Sequence, residues 1–422
     1  MNQRLLHTPE GVRDIYNAEC EKKLTLQDNL HKVLKSYGYR DIETPTFEYF
    51  DVFGQDVGTI PSKDLYKFFD REGNTLVLRP DFTPSIARAA AKYFTEEDLS
   101  VRLCYMGNTF INNSSYQGRL KETTQLGAEF IGDDSVDADA EIITLVIETL
   151  RSAGLKDFQI SIGHVEFFKS LITEAGIDEE NVGTEEELRE LISNKNMFGV
   201  EELLSEKNIS EELKNVFATL PQLFGTVDAL ERAKLLTSNP GALKAIARLE
   251  ELYGILKYYG VEKYVSFDLG MISNYMYYTG IIFRGYTFGT GDAIVKGGRY
   301  DHMMGHFGKD APSIGFVVVV DQLLTALSRQ KIDVPVEQVN RLILYKKEQR
   351  KEAITLAKHL RIENNYVELI CQKESLSLED YLIFARRSRI MEILYFEEKD
   401  RILSVNTETK VMKPAELTTL LL

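Results

Sequence analysis

The hydrophobic rhythm of the chain changes several times, and each change predicts a different kind of element. In "NAECEKKLTLQDNLHKVLKSYGY" the apolar positions Leu24, Leu26, Leu30, Val33, Leu34 and Tyr37 recur at roughly helical spacing until Gly38 ends the run. Extended segments follow. "DIETPTFEYFDVF" carries a proline that favours an extended strand or a sheet edge, and "NTLVLRPDFTPSIARAAAKYF" reads as a strand, a proline-bounded turn and a helix. "CYMGNTFINNSSYQGRLKETTQLGAEFIG" (104–132) predicts two strands around a polar loop. "DADAEIITLVIETLRSAG" predicts an amphipathic helix, and "DFQISIGHVEFFKSLITEAG" a strand running into a helix.

Residues 170–260 are dense in Glu, Leu and Lys, lack alternation and break at "TLPQLFG" and "SNPG", which predicts a helical insertion. Strand patterns return in "YVSFDLGMI", "YMYYTGIIFRGYTF", "DAIVKGGRYDHMM" and "SIGFVVVVDQLLTAL". The expectation for residues 1–325 is an α+β domain in which an antiparallel sheet, assembled from distant parts of the chain, is flanked by helices. A linker at 326–335, around "RQKIDVPVEQ", leads to a tail, 336–422, that alternates strand, helix, strand, helix, strand, strand. That order fits a small α/β domain with a partly parallel sheet.

Composition narrows the function classes. With 422 residues, 44% apolar and 27% charged, the chain is too long for a single core and ordinary for a globular protein. Its 50 Lys and Arg against 65 Asp and Glu give a net charge of −15, a field that repels polyanions and argues against broad nucleic-acid binding. The short basic stretch "FARRSR" (384–389) reads as a solvated helix face. Cys20, Cys104 and Cys371 are widely separated, so neither a disulfide framework nor a thiolate metal site is expected. No apolar run is long enough to cross a bilayer, and "MNQRLLHTPEGVRD" lacks the apolar centre of a signal peptide, so the expected location is cytoplasmic.

Two local patterns read as structural, and a third stays open. His302 and His306 in "HMMGH" have the i, i+4 spacing of helix-borne ligands, but no Glu follows the first and Gly305 weakens the helix. They are taken as surface or pocket histidines, with no metal. "FGTGDAIVKGGRY" matches neither the dinucleotide fingerprint nor a P-loop, and its glycines are expected to form a turn and permit close strand packing. "NYMYYTG" clusters tyrosines that suit either core packing or a ligand.

A set of ordered segments carries more. "EGVRDIY" (10–16), "YGYRDIETPTFE" (37–48), "LRPDFTPSIAR" (78–88), the 104–132 segment, "MYYTGIIF" (276–283), "GGRYD" (297–301) and "SIGF" (313–316) resemble the blocks of histidyl-tRNA synthetase, a class II synthetase. The resemblance covers residues 1 to about 325, and the tail weakly resembles that family's anticodon-binding domain. It implies the class II antiparallel sheet, normally in a homodimer.

The departures fall on the phosphate chemistry. At the three positions where the family has arginines, this sequence has Ile111, Ser273 and Gln322; Met276 replaces an aspartate, and Asn113 a loop glutamate. Adenylation builds charge on the α-phosphate and the departing pyrophosphate, and preorganised donors must meet it. Loss of one such donor typically costs about 10²–10³ in rate. Efficient adenylation is therefore not expected, and no cofactor is.

The amino-acid pocket matches better. The resemblance implies that Asp81, Thr83, Gln125 and Glu129 hold the α-amino group of histidine and that Tyr277 and Tyr278 surround the imidazole. Gln125 and Glu129 are four residues apart, which on one strand puts them on one side. Arg119 is a cation positioned to take a carboxylate, and Asp81 is one methylene shorter than the glutamate usual in the family.

A synthetase-like body with this pocket and without those arginines resembles the regulatory subunits of ATP phosphoribosyltransferase, above all in "SFDLGMISNYMYYTGIIFRGY" (266–286). The resemblance implies a non-catalytic partner of the short-form catalytic subunit in the first step of histidine biosynthesis. It also implies L-histidine as feedback effector and a homodimer within a hetero-oligomer, a hetero-octamer. Two other readings stay open: a divergent active histidyl-tRNA synthetase, and a synthetase-like module whose tail binds RNA.

Overall fold

A computed structural model describes residues 6–54, 60–94, 100–113, 120–177, 182–205, 209–272, 277–336, 340–363, 365–398 and 401–421. The chain divides into two compact units, Met1–Ile15 with Lys23–Val334, and Tyr16–Lys22 with Pro335–Leu422.

Helix α1 (Asn17–Ser36) ends before Gly38, whose positive φ of 82° suits glycine. Leu26, Leu30 and Leu34 enter the core, whereas Leu24 is 60% exposed, so the buried stripe is narrower than the apolar pattern. β1 (Arg40–Asp41) follows, and a small sheet forms from β2 (Phe47–Tyr49), β3 (Lys67–Phe69) and β4 (Thr75–Leu78). α2 (Thr83–Tyr93) starts with Pro84 in its first turn, where a missing N–H is harmless. β5 (Val101–Phe110) and β6 (Glu122–Ile131) pair along their whole length. Next come α3 (Val136–Ser152), β7 (Phe158–His164) and α4 (Val165–Glu174).

The Glu-, Leu- and Lys-rich stretch folds as α5 (Val182–Ser193), α6 (Met197–Ser205), α7 (Glu211–Thr219), a two-residue β8 (Phe224–Gly225), α8 (Asp228–Leu236) and α9 (Pro240–Tyr259). β9 (Val265–Asp268), β10 (Ile281–Thr287), β11 (Val295–Arg299), β12 (Ser313–Val319) and α10 (Val320–Arg329) complete the first unit.

Its nine-stranded sheet runs β1-β5-β6-β12-β11-β10-β7-β9-β8. The central run from β5 to β7 is antiparallel throughout, and β1 and β9 add parallel pairs at the flanks. The antiparallel sheet expected from the sequence is thus a mixed sheet with an antiparallel centre. Strand alternation separates two faces. Phe316, Val318, Val295 and Ile162 face the main core with Ile142, Ile143, Val146 and Ile147 of α3. Ser135 caps α3, its Oγ accepting from the Ala138 amide at 3.2 Å. Fully buried Asp139 ties the layers together, taking Arg299 of β11 at 2.7 Å and Arg248 of α9 at 2.6 Å.

In the second unit β13 (Asn340–Tyr345), α11 (Arg350–Ile362), β14 (Tyr366–Cys371), α12 (Leu378–Arg387), β15 (Glu392–Phe396), β16 (Arg401–Asn406), β17 (Met412–Glu416) and α13 (Leu417–Leu420) follow one another. The sheet order is β14-β13-β15-β16-β17, with β13 parallel to both neighbours and the remaining pairs antiparallel. Leu356 and Leu360 of α11 belong to one core and Tyr381 and Leu382 of α12 to another. Among the described residues no helix is long and apolar enough to cross a membrane.

Candidate functional site

The site lies on the other face of the large sheet. Strand register sets Leu103, Glu129, Gly315, Gly298, Ile282 and Gly163 in one rung. The next rung along the same face holds Tyr105, Gly127, Val317, Lys296, Arg284 and Ser161. A third begins with Gly107, Gln125 and Val319.

The glycines of the first rung make room for what lies over them. A Cβ on Gly315 would fall 1.6 Å from Glu129 Oε2, and one on Gly298 would fall 2.7 Å from the ring of Tyr278. Only glycine lets the Glu129 carboxylate and the tyrosine ring settle against the sheet. The glycines of "VKGGRY" thus serve close packing, as expected: a Cβ on Gly297 would meet the Phe283 ring on the opposite face.

Glu129 is 1% exposed and lies among hydroxyl donors. Thr83 Oγ1 donates to its Oε1 at 3.1 Å, Tyr105 OH donates to the same oxygen at 3.3 Å, and Tyr300 OH donates to Oε2 at 2.5 Å. Desolvation outweighs these bonds and, with the nearby charge of Asp81, pushes the carboxyl up to about 8. Burial beside Glu129 raises the phenols of Tyr105 and Tyr300 as well.

Asp81 comes from the turn between β4 and α2. Arg79 fixes that turn: its Nε donates to the Asn108 carbonyl at 2.8 Å, Nη1 to that of Thr44 at 2.9 Å, and its guanidinium lies 4.1 Å from the Phe82 ring centroid. Asp81 accepts from the Thr83 amide at 3.3 Å. Burial raises its pKa against backbone hydrogen bonds and the positive charge of Lys296. The aromatic wall consists of Tyr277 and Tyr278, with ring centroids 4.5 Å apart, and Tyr300, edge-on to Tyr277 at 6.0 Å. Gln125 keeps its Oε1 buried without a hydrogen-bond partner. An acceptor left dry in this way fits a ligand N–H.

Asp81, Thr83, Glu129, Tyr277 and Tyr278 therefore come together on one face of the sheet, and Gln125 lies on the same face two rungs along. Arg119 lies outside the described residues. Sequence reasoning missed Tyr105 and Tyr300, whose hydroxyls reach Glu129. The alternation that aligned Gln125 with Glu129 also aligns their strand partners, but only a known register reveals it.

Ile111 and Gln322, which the resemblance sets against phosphate-binding arginines of the synthetases, are neutral residues. The Ile111 amide donates to the Lys121 carbonyl at 2.9 Å, and Gln322 Oε1 and Asn113 Oδ1 are buried without partners. Asp321, beside Gln322, is occupied by Lys23 Nζ at 2.8 Å and the Thr124 amide at 2.6 Å. Ser273 and Met276 lie outside the described residues. Elsewhere His31, Asp41 and Cys104 bring their ligand atoms within 4.8 Å of one another. Lys35 and His31 hold Asp41 well below the usual carboxylate range, and the Cys104 thiol, raised to about 12 by burial, also points to it. Internal bonds account for that cluster.

The family model of histidyl-tRNA synthetase matches residues 11–323. Fold and cleft thus define a protein of the histidyl-tRNA synthetase class. Proteins named ATP phosphoribosyltransferase regulatory subunit from Acetivibrio thermocellus and Ruminiclostridium cellulolyticum are 42% and 39% identical to the chain. The first match covers 86% of each chain, and the second covers 100% of this one and 99% of its relative. A solved structure from Bacillus halodurans, described as an ATP phosphoribosyltransferase regulatory subunit/histidyl-tRNA synthetase, superposes with a TM-score of 0.82 at 33% identity. It covers 93% of this chain and 98% of the other. Within the synthetase class, the chain belongs to the family of ATP phosphoribosyltransferase regulatory subunits.

Proposed function

We propose that this regulatory subunit senses L-histidine in the cleft around Glu129 and does no chemistry of its own. One observation carries the reading: a carboxylate at 1% exposure, ringed by three hydroxyl donors and set near a second carboxylate, faces a tyrosine wall. Buried acidic groups of this kind are costly unless a cation or an N–H donor meets them. The ammonium and imidazole of histidine supply both.

The neutral residues at 111 and 322 support the absence of adenylation, because preorganised positive charge is what that step requires. The partner in this reading is the short-form catalytic subunit of ATP phosphoribosyltransferase, which the chain activates in the cytoplasm. It does so as a homodimer inside a hetero-oligomer, a hetero-octamer. Histidine inhibits by favouring one arrangement of that assembly, to the extent of its differential affinity for the two.

Calorimetric titration of L-histidine into the purified chain tests the pocket, with Glu129→Ala and ATP as controls. The expected result is saturable binding, abolished by the substitution and indifferent to ATP. Binding that survives Glu129→Ala would remove the pocket from the account. ATP-dependent release of pyrophosphate in the presence of histidine would restore the synthetase reading.

A further inference from the structure

The tyrosines of the aromatic wall stand just past the ends of their strands. Pairing of β10 with β11 starts at Ile282 opposite Gly298, and pairing of β11 with β12 stops at Arg299 opposite Ile314. Tyr277 and Tyr278 come before the first pair and Tyr300 after the second, so the ladder does not fix their places. One backbone bond on each side carries on: the Thr279 amide donates to the Arg299 carbonyl at 2.8 Å, and the Tyr300 amide to the Ser313 carbonyl at 2.7 Å.

Asp301 adds the side-chain ties. The Thr279 hydroxyl donates to its Oδ2 at 2.8 Å and accepts from its amide at 3.0 Å, a closed pair that requires a group able to do both. Its Oδ1 accepts from the Ser313 amide at 3.3 Å and from Arg299 Nη1 at 3.4 Å. The carboxylate is 30% exposed, yet both of its oxygens are engaged by neighbours. Each neighbour leads to a part of the site. Thr279 follows the adjacent rings of Tyr277 and Tyr278. Asp301 itself follows Tyr300, whose hydroxyl donates to Glu129, and Ser313 lies two residues before Gly315, against which the Glu129 carboxylate rests.

We infer that Asp301 is a positioning residue of the histidine site, acting through Thr279 and Ser313. It holds the tyrosine wall, the Tyr300 hydroxyl and the glycine floor beneath Glu129 in one arrangement. This inference rests on the histidine-sensing reading and deepens it. A ligand that must first order its own binding wall loses that ordering cost from its affinity, so a wall fixed in advance binds more tightly. A carboxylate suits the task because its bonds are charge-assisted and two oxygens can serve several donors.

The test is calorimetric titration of L-histidine into the full-length wild-type chain, Thr279→Ser, Thr279→Val, Asp301→Ala and the double variant Thr279→Val/Asp301→Ala. Each is titrated at a temperature at which thermal unfolding shows it to be native. Thr279→Val keeps the shape of the side chain without the hydroxyl, and Thr279→Ser keeps the hydroxyl. Thr279→Val and Asp301→Ala are expected to weaken histidine binding about tenfold or more, and Thr279→Ser to stay within about threefold of wild type. The double variant is expected to bind within about threefold of Asp301→Ala, because residues that act through one contact are not additive.

A native Thr279→Val that binds like wild type but melts lower would make the contact a tie of the fold alone and overturn the assignment. So would Thr279→Ser binding as weakly as Thr279→Val, or a double variant in which the two losses multiply. The histidine reading survives all three results. If Asp301→Ala does not fold, the comparison of Thr279→Ser with Thr279→Val decides by itself. Wild type that fails to bind L-histidine overturns the histidine reading and this inference together.

Discussion

Glu129 shows how a residue's position outweighs its type. Its neighbours on the page of the sequence are ordinary strand residues, yet the fold brings Thr83, Tyr105 and Tyr300 to its oxygens and leaves Gly315 beneath it. The consequence is a pH dependence of definite sign. In the unfolded chain the carboxyl ionises near 4.5, whereas in the empty folded protein it holds its proton to about 8. Between those values the native state binds more protons, so rising pH lowers stability through this group, and the effect saturates above about 8. Asp81, also raised, adds in the same direction. Denaturant unfolding at pH 5.5 and 8.5 should show this loss in wild type and a clearly smaller one in Glu129→Gln. Equal losses in both would place the titration elsewhere. Residue by residue, Asp81, Thr83, Gln125 and Glu129 were legible because each stands in a short ordered segment with a recognisable order. Tyr105 and Tyr300 were not, since only the fold brings their hydroxyls to the Glu129 carboxyl.

At the scale of elements, long amphipathic stretches were the easiest to read. α3 buries one residue after another, and "DADAEIITLVIETLRSAG" already announces it. The two-residue strands β1 and β8 carry no periodicity and exist only through their pairing with β5 and β9. The parallel flanks of the large sheet were unreadable for the same reason, since nothing local distinguishes a parallel from an antiparallel partner. The tie between layers is equally non-local: Asp139 on α3, Arg248 on α9 and Arg299 on β11 meet in the core, with Asp139 fully buried and Arg299 3% exposed. Removing the shared anion leaves Arg248 without its ion pair and buried Arg299 with only the longer contact to Asp301, at 3.4 Å. Asp139→Ala should therefore cost about 3–5 kcal/mol. Urea denaturation measures it, and a loss below about 1 kcal/mol would show that water or another acid replaces the aspartate. Because β11 also carries Gly298 and Lys296 on its other face, the same variant should loosen the cleft.

For the whole molecule, the two units illustrate different limits of sequence. The small sheet with its central parallel strands follows from the strand and helix order of the tail, because short crossovers leave few topologies open. The large sheet interleaves segments from residue 40 to residue 319, so its strand order cannot be deduced from chain order; the resemblance supplied an antiparallel sheet but not the order of its strands. Function divides the same way. Family membership follows from matches along the whole chain, whereas the role of the cleft depends on buried charge that only the fold reveals. Reconstitution with the short-form catalytic subunit joins these levels: ATP phosphoribosyltransferase activity is measured with wild type or Glu129→Ala, over a range of L-histidine concentrations. The account predicts that both chains support activity, that histidine inhibits the wild-type complex, and that the Glu129→Ala complex is resistant. A Glu129→Ala complex inhibited as fully as wild type would contradict it.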